Sequence, residues 1–254
     1  MKSRSSRRIN LEQILFSQGF GTRKLCRLLI TEGKVEVQGH VCTGVNVEFD
    51  VSEPGMDAPL EFVVRGEHTQ YHEQAYLMLN KPPGYECSQK PKSHLSVYNL
   101  LPLYLRERGK GGVQSVGRLD QDTTGLLLFS DDGQFIHRMA SPKHLVPKVY
   151  EVTTSEAITP SQIAKLLAGV VLADDPEPVV ARACVPHAEN RMSLTLTSGK
   201  YHQVKRMVAA VGNNVSALHR SRIGELALPA DLAQGEWRWL TSAELAAAGV
   251  TVDA

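Results

Sequence analysis

The chain has 254 residues, of which 42% are hydrophobic and 22% charged, and its formal net charge is +1. That balance excludes collagen-like, low-complexity and largely disordered classes, and the length suits a small domain joined to a larger one. No apolar run approaches the roughly 18 residues of a bilayer span, and the basic start MKSRSSRR leads into polar residues, so the expected location is the cytoplasm.

The near-zero charge conceals segregated blocks. Residues 1–34 carry eight Lys/Arg against two Glu, a net of +6, whereas residues 35–79 carry eight Asp/Glu against Arg65 alone, a net of −7. Such blocks fit a basic face offered to a polyanion, and they also fit plain solvated surface. Cys26, Cys42, Cys87 and Cys184 lie far apart with no CxxC pair, which gives neither a zinc spacing nor a disulfide framework.

Leu11, Ile14 and Leu15 recur at helical spacing up to Gly19, and Thr22 caps a second helix through Leu25, Leu28 and Leu29 to Gly33. Lys34 to Gln38 alternates as a strand, and Gly39 turns the chain into a second strand with Val41, Val45 and Val47. Arg23, Lys24 and Arg27 sit at the start of the second helix, where the helix dipole favours anions, so they are expected to bind phosphate. The stretch from Arg8 to about Val51, with Gly21-Thr22-Arg23-Lys24 and Ile30 to Gly39, resembles the S4 RNA-binding domain. It has Arg8-Ile9-Asn10 where that domain usually opens Arg-Leu-Asp, and Thr22 for the usual Ser. A link over Ser52–Pro59, a strand over Leu60–Val64 and a polar stretch to Gln74 follow. The expected division is an RNA-binding unit at 8–65 and a second domain at 74–254.

In the second domain, strands are expected at 75–79, 125–130, 148–153, 179–184, 192–197 and 215–218. Helices are expected at 96–105, 133–140, 159–168, 201–211 and 241–248, the last with the capping box Thr241 to Glu244. The order lacks regular βαβ repetition, which predicts an α+β fold with a mainly antiparallel, mixed sheet.

Common catalytic signatures are missing: there is no GxSxG, HExxH or P-loop, and Gly19-Phe20-Gly21 lacks the third glycine of a dinucleotide loop. His137, His144 and the pair Asp174-Asp175 read as structural or surface residues. The strongest local signal is Gly117-Arg118-Leu119-Asp120-Gln121-Asp122-Thr123-Thr124-Gly125, running into Leu126–Phe129. A polar turn with an Arg and two carboxylates enters a buried strand, which fixes Asp120 on a rigid element beside the core. By residue type alone, Asp120 and Asp122 also fit Asx-turn or cap roles.

This segment resembles the GRLDxxTxGLLL motif of pseudouridine synthases. Asn80-Lys81-Pro82-Pro83-Gly84 resembles their KPxG turn, Lys148-Val149-Tyr150 their KxY motif, and Ser198 to Met207 their third motif. Leu218-His219-Arg220-Ser221-Arg222-Ile223-Gly224 resembles the closing LxRxRIG segment. The resemblance implies isomerisation of uridine in RNA, with Asp120 essential, Tyr150 against the base and Lys205 as counter-ion to the Asp. It further implies RNA contacts from Lys81, Arg118, Lys148, Arg206, Leu218 and Arg220, besides Arg23, Lys24 and Arg27. At about 100° per residue, Val204, Met207, Val208 and Val211 share a helix face with Lys205 at its edge, while Arg206 points away. YHQVKRM is similar to the branch acting on small-subunit rRNA, which implies a uridine of 16S rRNA in the 530-loop region. The expected enzyme is a monomer without metal or cofactor, acting on naked rRNA or a partly assembled small subunit. Competing readings are a 23S rRNA enzyme, a non-catalytic RNA-binding assembly factor, and a glycosidase using Asp120 with Asp122 or Asp132.

Overall fold

Leu126–Phe129 shows no polar alternation because the strand containing it is covered on both faces. In a computed structural model, which describes residues 7–51, 60–109, 111–172 and 175–250, this strand runs from Thr124 to Ser130. It pairs antiparallel with Tyr76–Lys81 on one side and parallel with Val215–Ile223 on the other. The link expected over Ser52–Pro59 lies outside the described residues, as does Asp174.

Among the described residues the main sheet has nine strands. Its spatial order is Ala183–Ala188, Arg191–Leu196, Lys148–Thr154, Val215–Ile223, Thr124–Ser130, Tyr76–Lys81 and Trp237–Trp239, with Gln114–Ser115 and Leu226–Ala227 paired at the side. Every pairing in it is antiparallel except the central one, where Thr124 faces His219 and Gly125 faces Arg220. At that seam a Cβ on Gly125 would lie 2.3 Å from the Arg220 carbonyl oxygen, and φ there is +103°, so only glycine lets the two strands meet. The fold is therefore a mixed α/β one with a mainly antiparallel sheet, and its two halves join where the Asp120 turn ends.

Each half has its own packing. Val152, Leu194 and Leu218 pack against Leu166 and against Val204, Met207 and Val208, on the helices Pro160–Ala168 and Gln203–Ala210. In the other half Leu77, Leu79, Leu127 and Phe129 face Val97, Tyr98 and Leu105, while Met78, Leu126 and Leu128 face Phe135 and Leu245. The capping boxes at Thr159 and Thr241 both form. No helix among the described residues is long and apolar enough to cross a membrane.

Some elements depart from the local pattern for identifiable reasons. The helix expected over 96–105 is a 3-10 turn, Val97–Leu100, followed by a helix at Leu103–Glu107, because the residue before Pro102 is held extended. The strand expected over 179–184 divides: Val179 pairs with Val170 while Ala183 pairs with Thr195, so the chain changes partner between them. Asp175 accordingly begins a strand, Asp175–Val179. The strand at 215 continues to Ile223 through the charged stretch HRSRI. Glu67–Gln70, in the polar stretch between the two units, forms a strand against Glu61–Val64.

The N-terminal part has a separate core of Leu11, Ile14, Leu15, Cys26, Leu29, Ile30, Val35 and Phe62. Its helices are Leu11–Ser17 and Arg23–Thr31, the second capped by Thr22 Oγ1. It meets the main sheet through Phe20, stacked on Tyr104 with ring centroids 5.1 Å apart, and through buried Arg108. Arg108 Nε donates to Asp131 Oδ2 at 2.6 Å, Nη1 donates to Gln18 Oε1, and Nη2 donates to the carbonyls of His72 and Glu73.

Candidate active site

The turn from Gly117 to Thr123 is braced from beneath by the Lys81-Pro82-Pro83-Gly84 turn. Lys81 is fully buried, and its Nζ donates to the carbonyls of Pro82 (3.1 Å), Gln121 (3.1 Å) and Thr123 (2.9 Å). Gly84 N donates to Gln121 O at 2.7 Å, and Thr123 N to Asp120 O at 3.1 Å. Leu119 is buried between them, so the alternation of the turn leaves Arg118 exposed and Asp120 at the mouth of a cleft. Burial draws the Lys81 ammonium below the usual lysine range.

Two nitrogen-bearing side chains approach the Asp120 carboxylate from the third-motif segment. His202 Nε2 is 3.4 Å from Oδ1 and Lys205 Nζ is 3.6 Å from Oδ2. Lys205 makes shorter bonds to the next carboxylate, 2.6 and 2.8 Å to the two Asp122 oxygens. Burial pushes the Asp122 carboxyl upward, but the hydrogen bond and charge of Lys205 outweigh it and hold that group below its usual range. By residue type alone Asp122 fits a turn or cap role; in the structure it shares Lys205 with Asp120.

His202 had no role in the sequence reading, although it stands within the YHQ segment. It caps the helix Gln203–Ala210 in left-handed backbone conformation, φ +47°, which turns its ring toward Asp120. Its ring stacks on exposed Tyr201, with centroids 3.8 Å apart. Gln203 is buried, accepts from Lys200 N at 2.8 Å and donates to Ser198 Oγ at 2.7 Å, which closes the turn before the helix. Only the tertiary fold brings this turn against the Asp120 loop.

Tyr150 stands on Lys148–Thr154, half-buried, and lines with Asp120, Arg118 and His202 a small cavity of about 80 Å³. In front of it opens a larger cleft of about 730 Å³, bounded by Arg118, Asp120, Asp122, Tyr201, Lys205 and the segment 86–94. The expected trio of Asp120, Tyr150 and Lys205 thus shares one site.

The expected RNA contacts are not all at the surface. Lys81, Lys148 and Arg220 are buried and present no cation at the surface, a correction to the sequence reading, while Leu218, also buried, lines the small cavity beside Asp120 and Tyr150. Lys81 donates to three carbonyls and Arg220 Nε donates to Leu126 O at 2.8 Å. Lys148 is only 8% exposed, and burial together with neighbouring Arg220 pulls its ammonium down to about 8. Residue type alone suits these cations to phosphate; the sheet instead turns Lys81 and Arg220 inward, where they bond to backbone carbonyls of the Asp120 turn and of the strand that follows it. Arg206 Nη1 donates to Tyr201 O at 3.0 Å, bracing the same turn. On the N-terminal part Arg23, Lys24 and Arg27 are exposed or nearly so, but Arg23 and Arg27 both bond to Glu12, whose side chain is only 8% exposed.

The chain matches the family model described as RNA pseudouridylate synthase over residues 75–210. It is 38% identical over 248 residues to ribosomal small subunit pseudouridine synthase A of Vibrio parahaemolyticus, covering 93% of this chain and 98% of that protein. To the protein of the same name from Escherichia coli it is 44% identical over 180 residues, covering 70% of this chain and 75% of the other. A solved structure titled as a crystal structure of pseudouridylate synthase is similar with TM-score 0.64 and 33% identity, covering 94% of this chain and 99% of that one.

Proposed function

The chain belongs to the RNA pseudouridylate synthase family, and from that membership we propose that it converts one uridine of 16S rRNA, in the 530-loop region, to pseudouridine. The observation that carries the reading is the Asp120 carboxylate, on a braced turn at the mouth of the cleft, between His202 Nε2 at 3.4 Å and Lys205 Nζ at 3.6 Å. In the reaction the C1′–N1 glycosidic bond breaks, the uracil turns, a C1′–C5 bond forms, the hydrogen on C5 leaves as a proton, and N1 ends with a proton in place of its bond to C1′. Nothing is oxidised or hydrolysed. Asp120, as a carboxylate, either attacks C1′ or removes a ribose proton, and both routes need a fixed anion beside the sugar. Lys205 and His202 offset the cost of holding that anion in a partly desolvated cleft.

Tyr150 is our candidate for stacking on or hydrogen bonding to the base. Arg118, exposed at the rim, is suited to occupy the stack vacated when the uridine flips out. Flipping costs a few kcal/mol, and stacking on an aromatic ring returns roughly 1–3 kcal/mol. We assign an S4-type RNA-binding role to the N-terminal unit, through the exposed faces of Arg23, Lys24 and Arg27. The substrate is then naked rRNA or a partly assembled small subunit.

The test is carbodiimide mapping of pseudouridine in rRNA from cells with and without the gene, complemented by wild type or Asp120→Asn. The expected result is loss of one 16S signal, restored by wild type and not by the variant. Restoration by Asp120→Asn would overturn the role of that residue, and loss of a 23S signal instead would overturn the substrate.

A further inference from the structure

An RNA strand that delivers a uridine to Asp120 must bring its phosphates into the 730 Å³ cleft, yet of the motif cations around it only Arg118 stands exposed at the rim and the others are committed elsewhere. Lys81 serves carbonyls, Lys205 serves two aspartates, and Lys148 and Arg220 are buried. Part of the cleft wall is supplied by the segment 86–94, where Lys90 and Lys92 are exposed. Among the described residues neither lysine forms a salt bridge.

The loop that carries them is built to hold one shape. The Glu86 carboxylate accepts the backbone N–H groups of Lys92 (3.0 Å), Ser93 (2.9 Å) and His94 (3.0 Å), and His94 Nδ1 lies 3.3 Å away. Those backbone bonds hold the Glu86 carboxyl down to about 2, so it stays an acceptor throughout the working pH range. The loop ends pair in parallel, Tyr85 with Leu95 and Glu86 with Ser96, and Ser96 Oγ donates to Ser88 O at 2.6 Å. Leu119 N donates to Cys87 Sγ at 3.4 Å, which ties the loop to the residue immediately before Asp120. A carboxylate in a basic loop lowers its net charge. Its presence is explained by the three N–H groups it gathers, which fix Lys92 in place.

We propose that residues 86–94 form a preformed clamp for the phosphodiester backbone of the entering RNA strand, with Lys90 and Lys92 contacting phosphates and Glu86 as the positioning residue. The proposal rests on the reading of the chain as an RNA-modifying enzyme and deepens it by naming where the strand is held. Its test is the binding of a fluorescein-labelled oligouridine to the full chain by anisotropy across a salt series, which needs no turnover. Each phosphate contact on a single strand contributes about −0.7 to the slope of log K against log salt. Replacing both lysines, Lys90→Ala with Lys92→Ala, should therefore make the slope shallower by about 1.4 and weaken binding about 25-fold near 0.1 M salt. An unchanged slope overturns the clamp.

Glu86→Gln separates positioning from charge. The amide has a single acceptor oxygen for three N–H groups, so the loop loosens while both lysines remain. Weaker binding at an unchanged slope supports positioning. Tighter binding, as simple removal of a negative charge near RNA would produce, overturns it. If wild type binds the oligouridine with the expected slope but cells show no pseudouridine dependent on the gene, the enzymatic reading fails and the clamp stands.

Discussion

Replacing Lys205 by Met keeps the side-chain length and removes the ammonium that touches both carboxylates of the turn. The ammonium lies 3.6 Å from Asp120 Oδ2, and at that separation and an effective dielectric near 20 two unit charges attract by about 4–5 kcal/mol. Both side chains are about a quarter exposed, 27% for Lys205 and 25% for Asp120, so water screens much of this. About 1–3 kcal/mol of stabilisation remains, which corresponds to a slowing of roughly 5- to 200-fold when it is lost. His202 still faces the other oxygen at 3.4 Å, so the loss should stay below that of Asp120→Asn. The assay is single-turnover release of tritium from 16S transcripts labelled at uridine C5, since that hydrogen departs only when the new C–C bond forms. Lys205→Arg should recover part of the rate because it restores the cation. A change in Lys205→Met of less than about threefold would refute the electrostatic argument, because even the lower figure of 1 kcal/mol exceeds it.

Lys81→Met removes the donor from three carbonyls, so it should lower the urea midpoint by an amount equivalent to about 1–3 kcal/mol and reduce tritium release in the protein that remains folded; full activity would show that the turn holds itself. Lys148 titrates near 10.5 in the unfolded chain and near 8 when folded, so the unfolded state holds the extra proton between those values and stability should rise with pH across that window. Below pH 8 the penalty is constant at about 3 kcal/mol, and Lys148→Met should remove both the penalty and the rise, as followed by denaturant unfolding at several pH values. Arg108→Met leaves Asp131 without its cationic partner and the Glu73 carbonyl without this donor, while the His72 carbonyl keeps only Gln18 Nε2 at 3.1 Å. It should cost about 3–5 kcal/mol and open the junction between the N-terminal part and the main sheet to limited proteolysis; an unchanged cleavage pattern would show that Phe20 on Tyr104 suffices.

Periodicity and capping marked the two N-terminal helices, the strands at 76, 124, 148 and 191 and the helices after Thr159, His202 and Thr241, because those signals are local. Ordered motifs also identified Asp120, Tyr150 and Lys205 as neighbours across long stretches of chain. Other features depend on pairing and packing that no window of sequence contains. Trp237–Trp239 becomes a strand because the edge of Tyr76–Lys81 is available to it. Lys81 and Arg220 carry the charge of surface residues, yet they point inward because adjoining backbone carbonyls replace water around them. Nor does local sequence show that Lys205 divides its ammonium between Asp120 and Asp122, or that His202 completes the site. Both follow from the left-handed turn at His202 and from the glycine seam at Gly125, which join the two half-sheets. Residue type and order determined which groups the site can use; the joining of the half-sheets decided which are buried holding backbone carbonyls and which stay at the surface to meet RNA, because a buried charge needs its polar partners and has none to give a ligand.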